Sequence, residues 1–258
     1  MRTFQCLVTI TLVFVAATGF ASDMAKEKRW ADQIVDELID GEALWLEADS
    51  HRFLSILTTA QGEAKGGIIV MHGVGVHPNW PQVVYPLRVQ LAERGWTTLS
   101  LQMPILRNEA EAKEYVSLLN EVPSRIRAGI AALKQRGAEP IVLIGHSLGS
   151  GMARHFLSGG GDAAVRGFVG IGMGVNKEVP QIHSLDALRQ IRLPILDLYG
   201  ENDLKSVLTT VAERAAAAKT AGNANYLQVQ IPGADHFFDG FEAPLTQTVA
   251  DWIEKQRK

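Results

Sequence analysis

Ser147 lies in the run Gly145-His146-Ser147-Leu148-Gly149, directly after the apolar stretch Pro140–Ile144 and directly before a helical pattern that continues to about Leu157. A serine on a sharp strand-to-helix turn needs neighbours without a Cβ on both sides, so that the backbone can reverse tightly and hold the hydroxyl above a sheet. That hydroxyl is a poor nucleophile at neutral pH and needs a base to take its proton. Of the seven histidines, His236 in Gly233-Ala-Asp-His-Phe-Phe238 follows the last strand pattern, which puts it at the carboxyl end of the sheet with the Ser147 turn. His51 precedes a short alternating run, His155 falls inside the helix after the serine, and His183 sits in an irregular stretch. His72 and His146 flank loop backbone and are read as structural hydrogen bonders.

The imidazole in turn needs a carboxylate to fix its tautomer and stabilise its cation. Asp203 stands in the turn after the strand pattern Pro194–Tyr199, 33 residues before His236, which gives the chain order Ser, Asp, His. Asp197 is a rival, but its mid-strand position aims it at a sheet face; Glu201 is a second rival in the same turn. The oxygen that turns negative when a carbonyl is attacked needs two backbone N–H groups. Leu148 offers one from the helix start, and Val74, with Gly73 as the alternative, offers the other from the loop His72-Gly-Val-Gly75. His77, Trp80, Met173, Phe237 and Phe238 are candidates to line an apolar acyl pocket. His72, His77 and Asp203 match no zinc spacing, so no metal is expected. Gly167-x-x-Gly170-x-Gly172-x-Gly174 fails the order of a dinucleotide loop, and these glycines are expected to clear space beside the site instead.

The elements that must carry these residues alternate. Met24–Asp40 has apolar positions at helical spacing and reads as an N-terminal packing helix within residues 23–41. Two short runs, Ala43–Glu47 and Arg52–Thr58, are expected as antiparallel strands at a sheet edge. Gly67–Met71 is apolar throughout, as a strand buried on both faces requires. Strand patterns then recur at Trp96–Met103, Pro140–Ile144, Val165–Gly172, Pro194–Tyr199 and Tyr226–Ile231. Between and after them come helical patterns at Val83–Arg94, Glu109–Gln135 (interrupted at Pro123), Lys205–Ala221 and Leu245–Lys258. Strands separated by helices of these lengths predict β-α-β crossovers, hence one α/β domain with a mostly parallel central sheet and helices on both faces. About twenty residues separate Gly174 from Pro194, too few for a large lid domain.

The 258 residues carry 25 Lys and Arg against 28 Asp and Glu, a net charge of −3, with the basic residues scattered. No stripe of positive charge is available for nucleic acid. Met1–Ser22 reads as a secretory signal peptide: Arg2, the apolar run Cys6–Ala17, then the small residues Gly19 and Ala21. The run is short of the roughly 20 residues of a bilayer span, so no stable membrane span is expected after its removal. Cys6 is the sole cysteine and would leave with the leader, which excludes disulfides and cysteine nucleophiles from residues 23–258. The expected compartment is the periplasm or the exterior.

In this order the residues resemble the α/β-hydrolase superfamily over roughly residues 44–253. Four segments, His72-Gly-Val-Gly-Val-His-Pro-Asn-Trp80, Gly95-Trp-Thr-Thr-Leu-Ser-Leu-Gln-Met-Pro104, Leu198-Tyr-Gly-Glu-Asn-Asp203 and Gly233-Ala-Asp-His-Phe-Phe238, are similar to an exported bacterial family of unassigned role, DUF3530. The resemblance to the superfamily implies attack by Ser147 on an ester or similar acyl carbon of a small-molecule substrate, His236 acting as base and then acid, and no cofactor. The alternative is a non-catalytic envelope protein that uses the same scaffold to bind a ligand.

Overall fold

The computed structural model describes residues 21–176, 178–183 and 185–257. Residues 1–20, which hold nearly all of the expected leader and Cys6, lie outside the described residues. The elements run α1 (Met24–Glu37), β1 (Glu42–Ala48), β2 (His51–Thr58), β3 (Gly67–Met71), α2 (Val84–Glu93) and β4 (Thr97–Leu101). A 3-10 helix (Ala112–Asn120) leads into α3 (Val122–Lys134), followed by β5 (Ile141–His146), α4 (Leu148–Ser158) and β6 (Val165–Ile171). The rest comprises α5 (Pro180–His183), α6 (Leu185–Gln190), β7 (Ile195–Asn202), α7 (Lys205–Leu208), α8 (Val211–Thr220), β8 (Tyr226–Asp235) and α9 (Glu242–Gln256).

One eight-stranded sheet has the order β1-β2-β4-β3-β5-β6-β7-β8. β4, β3, β5, β6, β7 and β8 pair in parallel, while β1 and β2 add antiparallel at one edge. Successive residues of a strand point to opposite faces, and the apolar strands use this to feed two cores. Ile69 and Met71 of β3 and Ile141 and Leu143 of β5 enter the core under α3 and α4. Ile68, Val70, Val142 and Ile144 enter the core under α2 and α9. A smaller cluster packs Ala31 and Ile34 of α1 on Leu54 and Ile56 of β2. The chain is therefore an α/β-hydrolase fold with helices on both faces. The stretch between Gly174 and Pro194 forms just the short α5 and α6 against α4, with no large lid.

Several boundaries differ from the expectation. α1 stops at Glu37, three residues short of Asp40. The pattern Glu109–Gln135 divides at Glu121, with its first part wound as a 3-10 helix and Pro123 seated in the first turn of α3, where a missing N–H costs nothing. The alanine-rich pattern Lys205–Ala221 is two helices, because the chain turns at Thr209 and Thr210. Ser22, grouped by sequence with the leader, is built into the domain at 6% exposure, and its Oγ accepts the Ile105 N–H at 3.0 Å.

Asp197 shows why a mid-strand carboxylate is structural here. It is fully buried and receives Arg214 Nε at 2.7 Å, the Tyr226 hydroxyl at 2.5 Å and Gln228 Nε2 at 2.9 Å. Burial and the neighbouring Asp197 charge push the Tyr226 hydroxyl well above its ordinary value, so it serves as a donor throughout the accessible pH range. Removing one partner of such a pair strands a buried charge. Arg214→Met is expected to lower unfolding free energy by about 3–5 kcal/mol in urea titration. The double change Arg214→Met, Asp197→Leu should recover a large part of that loss.

Candidate active site

Every predicted site group lies at the carboxyl end of a parallel strand, where open α/β sheets place their ligands. The loop His72–Gly75 follows β3, Ser147 follows β5, Gly172 follows β6, Asp203 follows β7, and His236 follows β8. Ser147 has φ 54 and ψ −117, outside the ordinary region for an L residue. Its N–H continues the sheet ladder to the Ile171 carbonyl at 2.8 Å, while its own carbonyl is capped by Ser150 Oγ at 2.6 Å. Both flanking glycines are required. A Cβ at Gly145 would lie 2.5 Å from the Gly149 carbonyl oxygen, and one at Gly149 would run into the Met71 carbonyl oxygen.

The turn presents Ser147 Oγ to His236 Nε2 at 3.0 Å, and His236 Nδ1 stands 2.6 Å from Asp203 Oδ1. These distances fit a hydroxyl donating to Nε2 and an Nδ1–H donating to the carboxylate. The backbone N–H of Leu204 donates to Asp203 Oδ1 at 2.7 Å and that of Gly200 to Oδ2 at 3.3 Å, which holds the carboxylate in its orientation. The rivals are elsewhere. Asp197 is buried with Arg214, and Glu201 accepts the Gly233 N–H at 2.8 Å. Gly172 has φ +60, and a Cβ there would lie 2.8 Å from His236 Cε1. This glycine clears space for the ring, as the sequence pattern predicted.

Leu148 is the first residue of α4, so its N–H has no partner within the helix and sits at the helix's positive end. Val74 lines the same cavity as Ser147, Leu148 and His236, and Gly73 lies so close that its Cβ would be 3.2 Å from Ser147 Cβ. His72 sets this loop. Its Nδ1–H donates to the Gly73 carbonyl at 2.9 Å, and its Nε2 accepts the Met103 N–H at 3.0 Å. Across a trans peptide the Val74 N–H points opposite to the Gly73 carbonyl and so away from the His72 ring. His146, between Gly145 and Ser147, stands 2.9 Å from the His236 carbonyl through Nε2, tying the His236 backbone to the turn.

The cavity over Ser147 is about 160 Å³, and its walls include Val175, Asn176, Leu204, Ser206 and Val207. Sequence reasoning missed these five residues, since nothing in a loop's composition tells which side faces the nucleophile. None of the five expected pocket residues lines it. Trp80 is half-buried and packs against the core under α2 and α9. Met173 and Phe238 are fully buried core, one on each side of the sheet. His77 packs edge-on between Trp30 of α1 and Trp80, with ring centroids 5.5 and 5.4 Å away, and lines a cleft with Trp30 and Ile34 instead. Phe237 is 42% exposed with its ring 5.4 Å from that of His236, which puts it beside the base and outside the cavity wall. A larger apolar cleft of about 290 Å³ under α1, lined in part by Met24, Trp45, Phe53 and Leu54, includes none of the three converging groups. Among the described residues, no group of three or more His, Cys, Asp and Glu is arranged to hold a metal, and no helix is long and apolar enough to cross a membrane.

The model of a family described as "Protein of unknown function (DUF3530)" matches residues 17–118 and 107–255. Among solved structures, Est1E from Butyrivibrio proteoclasticus is 16% identical at TM-score 0.64, over 83% of this chain and 98% of that one. An alpha-beta serine hydrolase homologue from Coxiella burnetii is 18% identical at TM-score 0.63, over 82% and 96%. XC6422 from Xanthomonas campestris, described as an a/b serine hydrolase without lid, is 13% identical at TM-score 0.62, over 84% and 94%. At these identities the likeness is one of fold. No curated protein matches the sequence.

Burial pushes His72 and His146 down to about 4, with the nearby His236 adding to the effect on His146, so both rings are neutral at pH 7. Unfolding returns each to its ordinary value of 6.5, so the unfolded chain binds more protons between those limits and stability is lost as pH falls from 6.5 towards 4. Urea midpoints measured across that range should fall steeply. His72→Gln and His146→Gln should each flatten the decline, at the cost of lower stability near pH 7.

Proposed function

The chain belongs to the DUF3530 family, and from its α/β-hydrolase fold and the convergence of Ser147, His236 and Asp203 we propose that it is an exported serine hydrolase acting on small carboxylic esters. The observation that carries this is the unbroken hydrogen-bonded line from Asp203 Oδ1 through the His236 ring to Ser147 Oγ, at 2.6 and 3.0 Å. Ser147 Oγ attacks the acyl carbon as His236 Nε2 takes its proton, and Asp203 stabilises the imidazolium. The carbonyl oxygen becomes negative between the N–H groups of Leu148 and Val74. Collapse expels the alcohol, which takes the proton from His236. A water then repeats the sequence on the acyl-Ser147 ester and regenerates the hydroxyl.

The shape of the cavity supports a short acyl group. A volume of about 160 Å³ is close to that of an apolar cavity that accepts one benzene ring. Around it Val74, Leu204 and Phe237 are among the exposed large apolar side chains of the domain, at 51%, 51% and 42% exposure. An apolar rim of this kind suits an apolar substituent on the alcohol side. Ferulic acid has been seen bound to Est1E, one of the structural neighbours, which fits a compact aromatic acid or acyl group. The leader-like residues 1–22 support export to the periplasm or beyond.

Purified protein should release p-nitrophenol from acetyl and butyryl esters and fail on palmitoyl esters, and a fluorophosphonate should label it. Ser147→Ala is expected to abolish labelling and to lower kcat on the order of 10⁶-fold. Absence of labelling between about pH 6 and 9 in a sample with a cooperative unfolding transition would overturn the hydrolase assignment. Leu204→Asp should raise KM several-fold with kcat little changed, as expected for a residue that contributes uniform binding.

A further inference from the structure

A second polar cluster, around the first described residues, plays no part in the proposed reaction. Two buried carboxylates, Glu27 and Glu121, flank the buried guanidinium of Arg125. Arg125 donates to Glu27 at 2.9 and 3.0 Å and, more weakly, to Glu121 Oε2 at 3.2 Å. His51 Nε2 lies 3.1 Å from Glu27 Oε2. Lys26 is engaged by the Leu106 carbonyl at 2.9 Å and Asn108 Oδ1 at 2.7 Å. The other oxygen of Glu121, Oε1, accepts two main-chain N–H groups, those of Ala21 at 2.8 Å and Ser22 at 3.0 Å.

Ser22 is fixed from several sides. Its Oγ donates to Glu27 and accepts the Ile105 N–H at 3.0 Å, and the next N–H, from Asp23, reaches the Ile105 carbonyl at 2.8 Å. Ala21, one residue earlier, is exposed. The change from solvent to packed interior thus falls at the Ala21–Ser22 bond. The sequence marks the same bond, because a leader peptidase needs small residues one and three positions before its cut, and Ala21 and Gly19 stand there. A carboxylate held against the Ser22 nitrogen binds far more strongly to a positive group there than to a neutral amide.

We infer that the leader is cut between Ala21 and Ser22, and that the α-ammonium this creates stays in place as a buried ion-pair partner of Glu121 Oε1. Hydrolysis by a leader peptidase breaks the bond between the Ala21 carbonyl carbon and the Ser22 nitrogen. Water supplies the hydroxyl to Ala21 and a hydrogen to Ser22, and the new acid passes its proton to the new amine. The cluster then holds two carboxylates against two cations, Arg125 and the chain terminus. Before the cut it has one such cation, beside His51. The cut rests on the export reading above and not on the chemistry of Ser147.

The ion pair also braces the loop behind the site. Arg125 Nη1 donates to the Gln102 carbonyl at 3.0 Å, and the following N–H, from Met103, is the one that His72 accepts.

Two measurements test the proposal. Amino-terminal sequencing of the protein recovered from an envelope or culture fraction should begin Ser22-Asp23-Met24. Separately, a chain starting at Ser22, released from a fusion without a scar, is compared with its Nα-acetylated form in urea unfolding near pH 7, in the Glu121 and Glu121→Gln backgrounds. Acetylation should lower the folding equilibrium constant about tenfold or more beside Glu121 and by less than about threefold beside the glutamine. Should Glu121→Gln fail to fold, NMR of the reductively methylated terminus decides: its amine should titrate well above the ordinary value of about 8 in the folded chain. A Ser22 start with no coupling, or with an unshifted amine, overturns the ion pair and leaves export intact. A start at Asp23 or beyond overturns the position of the cut, and a retained leader overturns both the cut and export. Neither measurement depends on esterase activity.

Discussion

The backbone at Ser147 is held where an L residue does not settle unaided, at φ 54 and ψ −117, and the surrounding structure is arranged to keep it there. Strain of this kind costs on the order of 1–3 kcal/mol and persists where neighbouring contacts over-determine it. Here the constraints are the ladder bond to Ile171, the Ser150 cap on the Ser147 carbonyl, and the crossing of Gly145 over Gly149. β5 supplies the entry direction because it is central and buried on both faces, and α4 supplies the exit because Gly149 passes directly over the end of β3. The hydroxyl consequently projects from a rigid corner, and His236 and Asp203 are delivered to it by strands two or more places away in the sheet.

Much of this was legible in the residues. Apolar runs such as Gly67–Met71 and Pro140–Ile144, with further strand patterns spaced by helices, specify a parallel sheet, because that arrangement buries both faces of its central strands. The convergence of Ser147, Asp203 and His236 was legible for a related reason: each lies one residue past a strand end, and strand ends in a parallel sheet share one edge. Asp197 was separable from Asp203 by the same logic, since a residue inside a strand points to a face. What failed was the pocket. Met173 and Phe238 are adjacent in sequence to loop residues of the site, yet the large side chains turn down into the two cores and leave small or short residues, such as Gly174, Asn176 and Ser206, to face the cavity. His77 was drawn away by Trp30 of α1, a partner almost fifty residues distant whose docking no local pattern reveals, and Trp80 packs on His77 and against the core under α2 and α9.

Burial of charge recurs through the domain. Arg88, Arg125 and Arg214 are at most 1% exposed, and each spreads its donors over backbone and side-chain acceptors on separate elements: Arg88 over Asp40, Thr58 and Asn79, Arg125 over Glu27, Gln102 and Glu121, and Arg214 over Asp197, Val207 and Thr210. A planar guanidinium with five donors suits this use, because one side chain can satisfy acceptors that secondary structure leaves over. Such pairs contribute little net stability compared with apolar substitutes, but they penalise any packing that leaves a member unmatched. The two cores provide the bulk of the driving force, and the arginines fix how the sheet edges and the first and last segments attach to them.

Between Gly174 and Pro194 the chain spends its residues on α5 and α6, clamped so tightly to α4 that a Cβ on Gly151 would meet Ile182 at 2.7 Å. Among the described residues of that region, none forms a hinged cover. On the proposed reaction, water would reach the serine by the same short path as the ester, and release of the acyl group would wait on no opening movement. On that reading the rate would track the free concentration of the ester, with no separate response to an oil–water boundary.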